Sequence, residues 1–295
     1  MRSRLLVLMY HGVFRAAEDI AACDAEARKY AVTADALREH IASLRRAGGA
    51  FVSAGDAFDL KGGNNGAKAG CLLTFDDSCR THYTDALPVL EESGLSALFF
   101  VTVGEIGQDG CLSWRQLRRM CEAGMSIQSH GWSHRFMTLM ERRELDDELV
   151  RSRRLVEDKL GAPVRALSVP GGRYNAGVLS AARRAGYENV FCSDVGTNRA
   201  GRLPFLVKRL AVTGVTGADF LARAIRRPLS GLLWRALRWR ALCLARGVLG
   251  EGLYARVTGR LPEQKKSDLF KNGNVFAEIV EEKKRVKRGE NRVKS

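Results

Sequence analysis

Residues 71–77 read Cys-Leu-Leu-Thr-Phe-Asp-Asp, an apolar run that ends in two adjacent carboxylates. A run this short and this apolar reads as a strand. The glycine-rich stretch before it, residues 61–70 (KGGNNGAKAG), reads as a mobile loop. After it the period changes to that of a helix, over Thr81–Ser93. The same alternation extends both ways. Upstream lie a strand at Leu5–Tyr10 and a helix at Ala34–Ala47, with Leu37, Ile41 and Leu44 on one stripe and Thr33 as its cap. Downstream, strands are expected at Ala97–Val103, Ser126–Ser129, Val164–Val169, Asn189–Ser193 and Phe205–Val212. Helices fall between them at Trp114–Ala123, Arg142–Leu160 and Gly177–Ala185. Repeated strand–helix alternation implies an α/β fold, a parallel sheet covered by helices.

In such folds the chemistry sits at the C-terminal ends of the strands. The residues to weigh are therefore Tyr10-His11, Asp76-Asp77, His130 to His134, and Pro170-Gly171-Gly172. Consecutive strand residues point apart, so one of Asp76 and Asp77 can bind a metal while the other faces a substrate. Paired acids also commonly just begin a helix. In Ser129-His130-Gly131-Trp132-Ser133-His134 two histidines stand four apart, a spacing that puts both on one face of a helical turn. The chain has only five histidines. Asp77, His130 and His134 together would make a His₂-carboxylate site with open positions, the composition of a catalytic divalent-metal centre. Zinc is the expected ion, and cobalt, nickel, iron and manganese suit the same donors.

The order TFDD (74–77), SHGWSH (129–134), SVPGGRYN (168–175) resembles the polysaccharide deacetylase family, the NodB-homology domain of carbohydrate esterase family 4, over roughly residues 1–215. The resemblance implies a distorted, incomplete (β/α) barrel of about seven strands. It implies metal-dependent removal of N-acetyl groups from amino-sugar units of a cell-surface or exopolysaccharide glycan. Asp76 would be the general base, Asp77, His130 and His134 the metal ligands, and the Gly171 N–H an oxyanion donor. The family's closing leucine-x-histidine motif, which supplies the acid, is missing: residues 207–212 hold no histidine, and none follows His134. His11, His40 and His82 remain. His40, inside an amphipathic helix, reads as exposed. His82 opens a helix. His11 directly follows the first strand, an arrangement similar to the circularly permuted poly-N-acetylglucosamine deacetylases, and is the expected acid. Ser168 stands where many members carry an arginine that orients the base, and Arg209 is preferred over Arg173 and Arg165 as its replacement. Trp132, Tyr174 and Arg173 are candidate substrate contacts, with packing as the competing reading.

The chain has 295 residues, 45% apolar and 27% charged, enough for one large core. Its net charge of +15 is uneven: residues 1–222 hold 29 Lys and Arg against 26 acids, residues 223–295 hold 19 against 7. The expected division is a catalytic domain (1–222), a basic amphipathic helical extension (223–262) and a charged tail without a core of its own (263–295). Residues 229–250 (LSGLLWRALRWRALCLARGVLG) place Arg235, Arg238 and Arg246 on one side of a helix and Trp234, Leu233, Leu237 and Leu244 around the rest. This suits an anionic membrane surface, or packing on the barrel. Nucleic acid ranks below both as a partner. The seven cysteines include no CxxC pair, and several lie in apolar runs. That pattern predicts reduced thiols. The five-residue apolar N-terminal run is too short for a signal peptide. A cytoplasmic protein, peripheral at the inner membrane face, is the expectation. The carbohydrate substrate could then be lipid-linked. A deformylase or amidase on such a sugar, or a silent glycan- or membrane-binding relative, are the rival readings.

Overall fold

Alternation along the first strand sets the architecture. In β1 (Arg4–Tyr10), Leu6, Leu8 and Tyr10 join one buried cluster while Leu5 and Val7 join another. Successive side chains of a strand face opposite ways, so the strand is covered on both sides. The pattern repeats in β2 (Ala69–Phe75), where Cys71, Leu73 and Phe75 oppose Leu72. In β3 (Leu98–Val101), Phe99 and Val101 oppose Leu98 and Phe100. The larger cluster takes in the helices. The smaller gathers Leu5, Leu72, Phe100, Ala166, Phe191 and Val207 from strands across the sheet, which fills the inside of a curved, nearly closed barrel.

The computed structural model describes residues 4–58, 69–199, 201, 203–226, 232, 234–238 and 241. All lie in the first of two compact units, Met1–Val248 and Leu249–Ser295. Residues 61–68 of the expected loop, most of 229–250 and the tail from 263 fall outside the described residues. Ala69 and Gly70, expected in that loop, already belong to β2.

From β1 the sheet runs through β2 and β3 to β4 (Ser126–Ser129), β5 (Ala166–Ser168), β6 (Asn189–Phe191) and β7 (Leu206–Val207), each parallel to the last. These seven are joined by the antiparallel pair Asn198–Arg199 on the free side of β1. The expected single last strand is two. β7 ladders with β6, then β8 (Leu210–Ala211) ladders with β1, Leu8 opposite Leu210. Changing neighbours closes the barrel and breaks the strand at Lys208-Arg209.

The helices begin as their caps dictate. Thr33 Oγ1 accepts from Ala36 N at 3.1 Å to start α1 (Ala34–Arg46). The expected helix over 81–93 is a π-helical turn, His82–Ala86, leading into α2 (Leu87–Glu92). Ser113 and Gln116 form a capping box for α3 (Trp114–Glu122). α4 (Arg142–Leu160) stops at Gly161, whose φ of 66° gives it a left-handed cap. Asn175 caps α5 (Ala176–Arg184). α6 (Ala218–Arg226) runs through the boundary expected at residue 222 and is tied to α1 by Ser43 Oγ donating to Ala218 O.

Two expectations are corrected here. His40 is buried, not exposed: its Nε2 donates to Thr216 O at 2.8 Å and its Nδ1 accepts from Tyr10 OH at 3.2 Å. An imidazole can end a polar bridge inside an apolar stripe, and here it ties α1 to β1. Arg235, expected on a free basic face, is half-buried. Its guanidinium lies 4.2 Å from the Phe220 ring centre and donates to Ala211 O at 3.2 Å. Leu232 beside it is buried, whereas Trp234 is 82% exposed and Leu237 47%. No helix among the described residues is long and apolar enough to cross a membrane.

Candidate active site

Asp76 keeps the parity of Leu72 and Thr74 and points into the barrel, where it is 2% exposed. An isolated carboxylate there would cost several kcal/mol. Arg209, 1% exposed, compensates it with a fork: Nη1 donates to Oδ1 at 2.9 Å and Nη2 to Oδ2 at 2.8 Å. Ser168 Oγ adds a third donor to Oδ2 at 2.9 Å and itself accepts from Arg209 Nη2. Arg209 is fixed in turn by Cys192 O at 3.0 Å. Burial pushes the Asp76 carboxyl upward, but the Arg209 charge leads the opposing effects and holds it below the ordinary carboxylate value. An ionised carboxylate has about four acceptor positions. Three are taken, and the one left is on Oδ1.

Asp77 turns the other way. Its φ of 78° and the 52° of Ser78 swing the chain out of the strand, and the carboxylate lies partly exposed at the barrel mouth. Its Oδ1 stands 3.2 Å from His130 Nε2 and 3.1 Å from His134 Nε2. Ligand atoms of Asp77, His130 and His134 all fall within 4.8 Å of one another, the only such cluster of three among the described residues. His130 Nδ1 donates to Ser168 O at 2.7 Å, which fixes the tautomer and leaves Nε2 as a lone-pair donor. The donor set fits a divalent ion. Burial raises the Asp77 carboxyl, but His134 and His11 outweigh it and the group sits well below its usual range. For His134 burial acts downward and Asp77 acts upward, with a net rise to about 9.

The histidines are not on a helical turn, as their spacing predicts. They sit on a loop with Gly131 and His134 in left-handed conformation, φ 79° and 57°. What holds this loop is Glu148 of α4, which the sequence reading missed. Its Oε1 accepts from Trp132 N and Ser133 N, both at 2.7 Å, and Ser133 Oγ donates to it at 3.0 Å. Glu148 is 3% exposed, and burial raises its carboxyl despite those donors. Its signal was available: Leu145, Glu148, Leu149, Ser152 and Val156 share one buried stripe of α4, and an acid on that stripe needs partners.

Residues 63–190 match the model of the polysaccharide deacetylase family. YxkH of Bacillus subtilis (strain 168), whose name assigns it to the polysaccharide deacetylases, is 30% identical over 150 residues. That stretch is 50% of this chain and 54% of YxkH, so the chain spans about half the length of this curated relative. Over residues 63–190 the chain is thus similar to polysaccharide deacetylases. Its fold is that of solved deacetylases. The Streptococcus pyogenes deacetylase PplD, solved with acetate, aligns with a TM-score of 0.66 and 24% identity over 76% of this chain and 99% of PplD. IcaB from Ammonifex degensii aligns at 0.62 and 23%, over 76% of this chain and 97% of IcaB.

The remaining predicted residues divide. The first strand brings His11 to the site from outside the matched span: its Nε2 lies 3.9 Å from Asp77 Oδ2, and its ring packs 4.8 Å from that of Tyr30. His82, an alternative acid by sequence, lies beneath. Burial pushes its imidazole down to about 4, and its Nε2 donates to His11 O at 2.8 Å, which fixes the His11 backbone. Gly171 turns with φ 63° in the Pro170–Gly172 turn. A Cβ there would meet the Phe136 ring at 2.7 Å, so a side chain would be strained unless that ring moved. Three candidate substrate contacts are otherwise engaged. Trp132 packs against Gly104 with the Arg151 guanidinium 4.7 Å from its ring centre. Arg173 is buried and stacks 3.7 Å from the Phe136 ring centre. Tyr174 OH donates to Asp194 Oδ2 at 2.6 Å. For these three, the packing alternative describes what the side chains touch.

Proposed function

We propose that this protein is a divalent-metal-dependent hydrolase that removes N-acetyl groups from amino-sugar units of a surface glycan. The observation that carries it is the split between Asp76 and Asp77. One carboxylate is sealed against a guanidinium with a single acceptor position open, and its neighbour converges with two imidazoles at the mouth. A silent glycan binder has no need of the buried member.

Asp77, His130 and His134 would hold the ion, with zinc first among those the donors suit. When bound, it supplies a Lewis acid that polarises the amide carbonyl and brings the pKa of water toward neutrality. Asp76 takes the proton of the attacking water on its free Oδ1 position, and Arg209 and Ser168 keep it ionised and oriented for that task. The Gly171 N–H donates to the developing oxyanion. His11 carries a proton to the departing amine, since an amine leaves poorly without one.

A lipid-linked amino sugar, with acetyl or formyl as its acyl group, is favoured by the outward-facing Trp234 and Leu237 near Arg238. An aromatic and an aliphatic side chain beside a cation suit an anionic membrane surface.

Acetate and formate release from N-acetylglucosamine oligomers, with zinc or cobalt added, tests the reading. Wild type should release acetate, and Asp76→Asn and His11→Ala should not. Metal-loaded protein that releases neither acid from free oligomers or lipid-linked sugars would overturn it. Release unaffected by His11→Ala would remove His11 from the mechanism.

A further inference from the structure

Cys79 and Cys111 face each other across an isolated antiparallel bridge. Arg80 N donates to Gly110 O and Leu112 N to Ser78 O, both at 2.8 Å. These bonds flank the cysteines, so the pair occupies a non-hydrogen-bonded position. Such positions bring Cα atoms to about 4.5 Å with side chains close together on one face, inside the roughly 4.4–6.8 Å that a disulfide spans. Neither thiol is in a disulfide and both residues are half-buried, and burial together with the Asp77 charge holds the Cys79 thiol well above its usual value. The other described cysteines are placed elsewhere. Cys71 and Cys192 are core residues, Cys121 lies on α3, and Cys23 donates to Asp19 O.

The two strands so joined matter to the site. Cys79 comes two residues after Asp77, at the end of the left-handed turn. Cys111 lies near the end of the segment 102–112, which touches both arms of the centre. At its start Thr102 N donates to Ser78 Oγ at 2.7 Å, Val103 N to Gly131 O at 3.0 Å and Gly104 N to Trp132 O at 2.9 Å. One segment thus braces the carboxylate turn and the histidine loop.

We propose that Cys79 and Cys111 form a reversible cross-strand disulfide that staples the Asp77 turn to this brace and slows loss of the ion. The S–S bond forms as each thiol gives up its hydrogen. The two electrons and two protons pass to a low-molecular-weight disulfide, whose own S–S bond breaks to give two thiols. Transient disulfides of this kind occur even in reducing compartments. The effect on the ion rests on the metal reading above; the bond itself does not.

The test treats the full chain with oxidised glutathione, then maps peptides by mass and follows zinc transfer to a chelator. The expected product has lost two hydrogen atoms, links Cys79 to Cys111, reverts with dithiothreitol and is absent in Cys111→Ser. Zinc should leave the oxidised protein several-fold more slowly than the reduced one, with no such difference in Cys111→Ser. Glutathione adducts without the cross-link, or a cross-link to Cys23, would overturn the bond. A cross-link with unchanged zinc loss would overturn its coupling to the site. Reduced protein that takes up no zinc marks a failure of the metal reading instead, and shows it before any oxidation.

Discussion

Asp76 and Asp77 are joined by one peptide bond, yet the two sides of the site they head differ in almost every physical respect. The Asp76 side is dry and closed: a carboxylate, a guanidinium and a hydroxyl saturate each other inside the barrel. The Asp77 side is open, a carboxylate among three imidazole rings at the mouth. Burial opposes ionisation in both, and in both a cationic environment prevails, but it is permanent for Asp76 and titratable for Asp77. A sealed pair fixes a proton acceptor in place. An open cluster of a carboxylate and imidazoles that can give up their protons is what an exchangeable cation requires.

The difference is broken most sharply by exchanging one side's function for loss on the other. Asp77→Ala should abolish metal uptake, measured by metal analysis, and bring deacetylation to background. Asp76→Asn should keep the metal while kcat falls by about 10²–10⁴, the usual worth of a general base; loss of metal in this variant would erase the distinction between the sides. Arg209→Met should destabilise by about 3–5 kcal/mol in denaturant unfolding, because it strands a buried charge. Adding Asp76→Asn should restore part of that, and an additive double mutant would deny the coupling. Glu148→Gln should weaken metal affinity by about 10–100-fold, as for other groups that orient ligands, with the Asp76 side unchanged.

The smallest effect is in pH. In the metal-free protein the His134 value is raised from 6.5 to about 9. The folded state then binds the proton more tightly, so this contribution is full below pH 6.5 and is lost as pH rises through about 9. His134 is partly exposed, so solvent screens the effect. Melting curves of metal-free wild type should fall slightly across that window, and those of His134→Ala should not. Zinc uptake at neutral pH should release protons, visible by calorimetry in buffers of different ionisation enthalpy.

Much of this was legible in the chain. Short continuous apolar runs gave β1 to β6 their places, and the strand end at Asp77 and the four-residue spacing of His130 and His134 marked the groups whose ligand atoms converge within 4.8 Å. What escaped was tertiary. The break at Lys208-Arg209 arises because the strand must change neighbours, which no local pattern encodes. The helical reading of SHGWSH failed because an anchor on α4, remote in sequence, stabilises a left-handed loop. His40 fell on an apolar stripe and was misjudged because its partners, Tyr10 and Thr216, come from distant parts of the chain.

The seam between β7 and β8 also bears on how the protein is made. β1 and β2 can pair early in synthesis, but β1 acquires β8 only after nearly the whole domain has emerged. Arg209 lies at that seam, so Asp76 has no counter-charge until closure. Parallel pairings of such long sequence separation form slowly. Under the proposed mechanism an unfinished or misfolded chain lacks a competent base, and hydrolytic activity in a nascent or truncated product would report that the last stave of the barrel is in place.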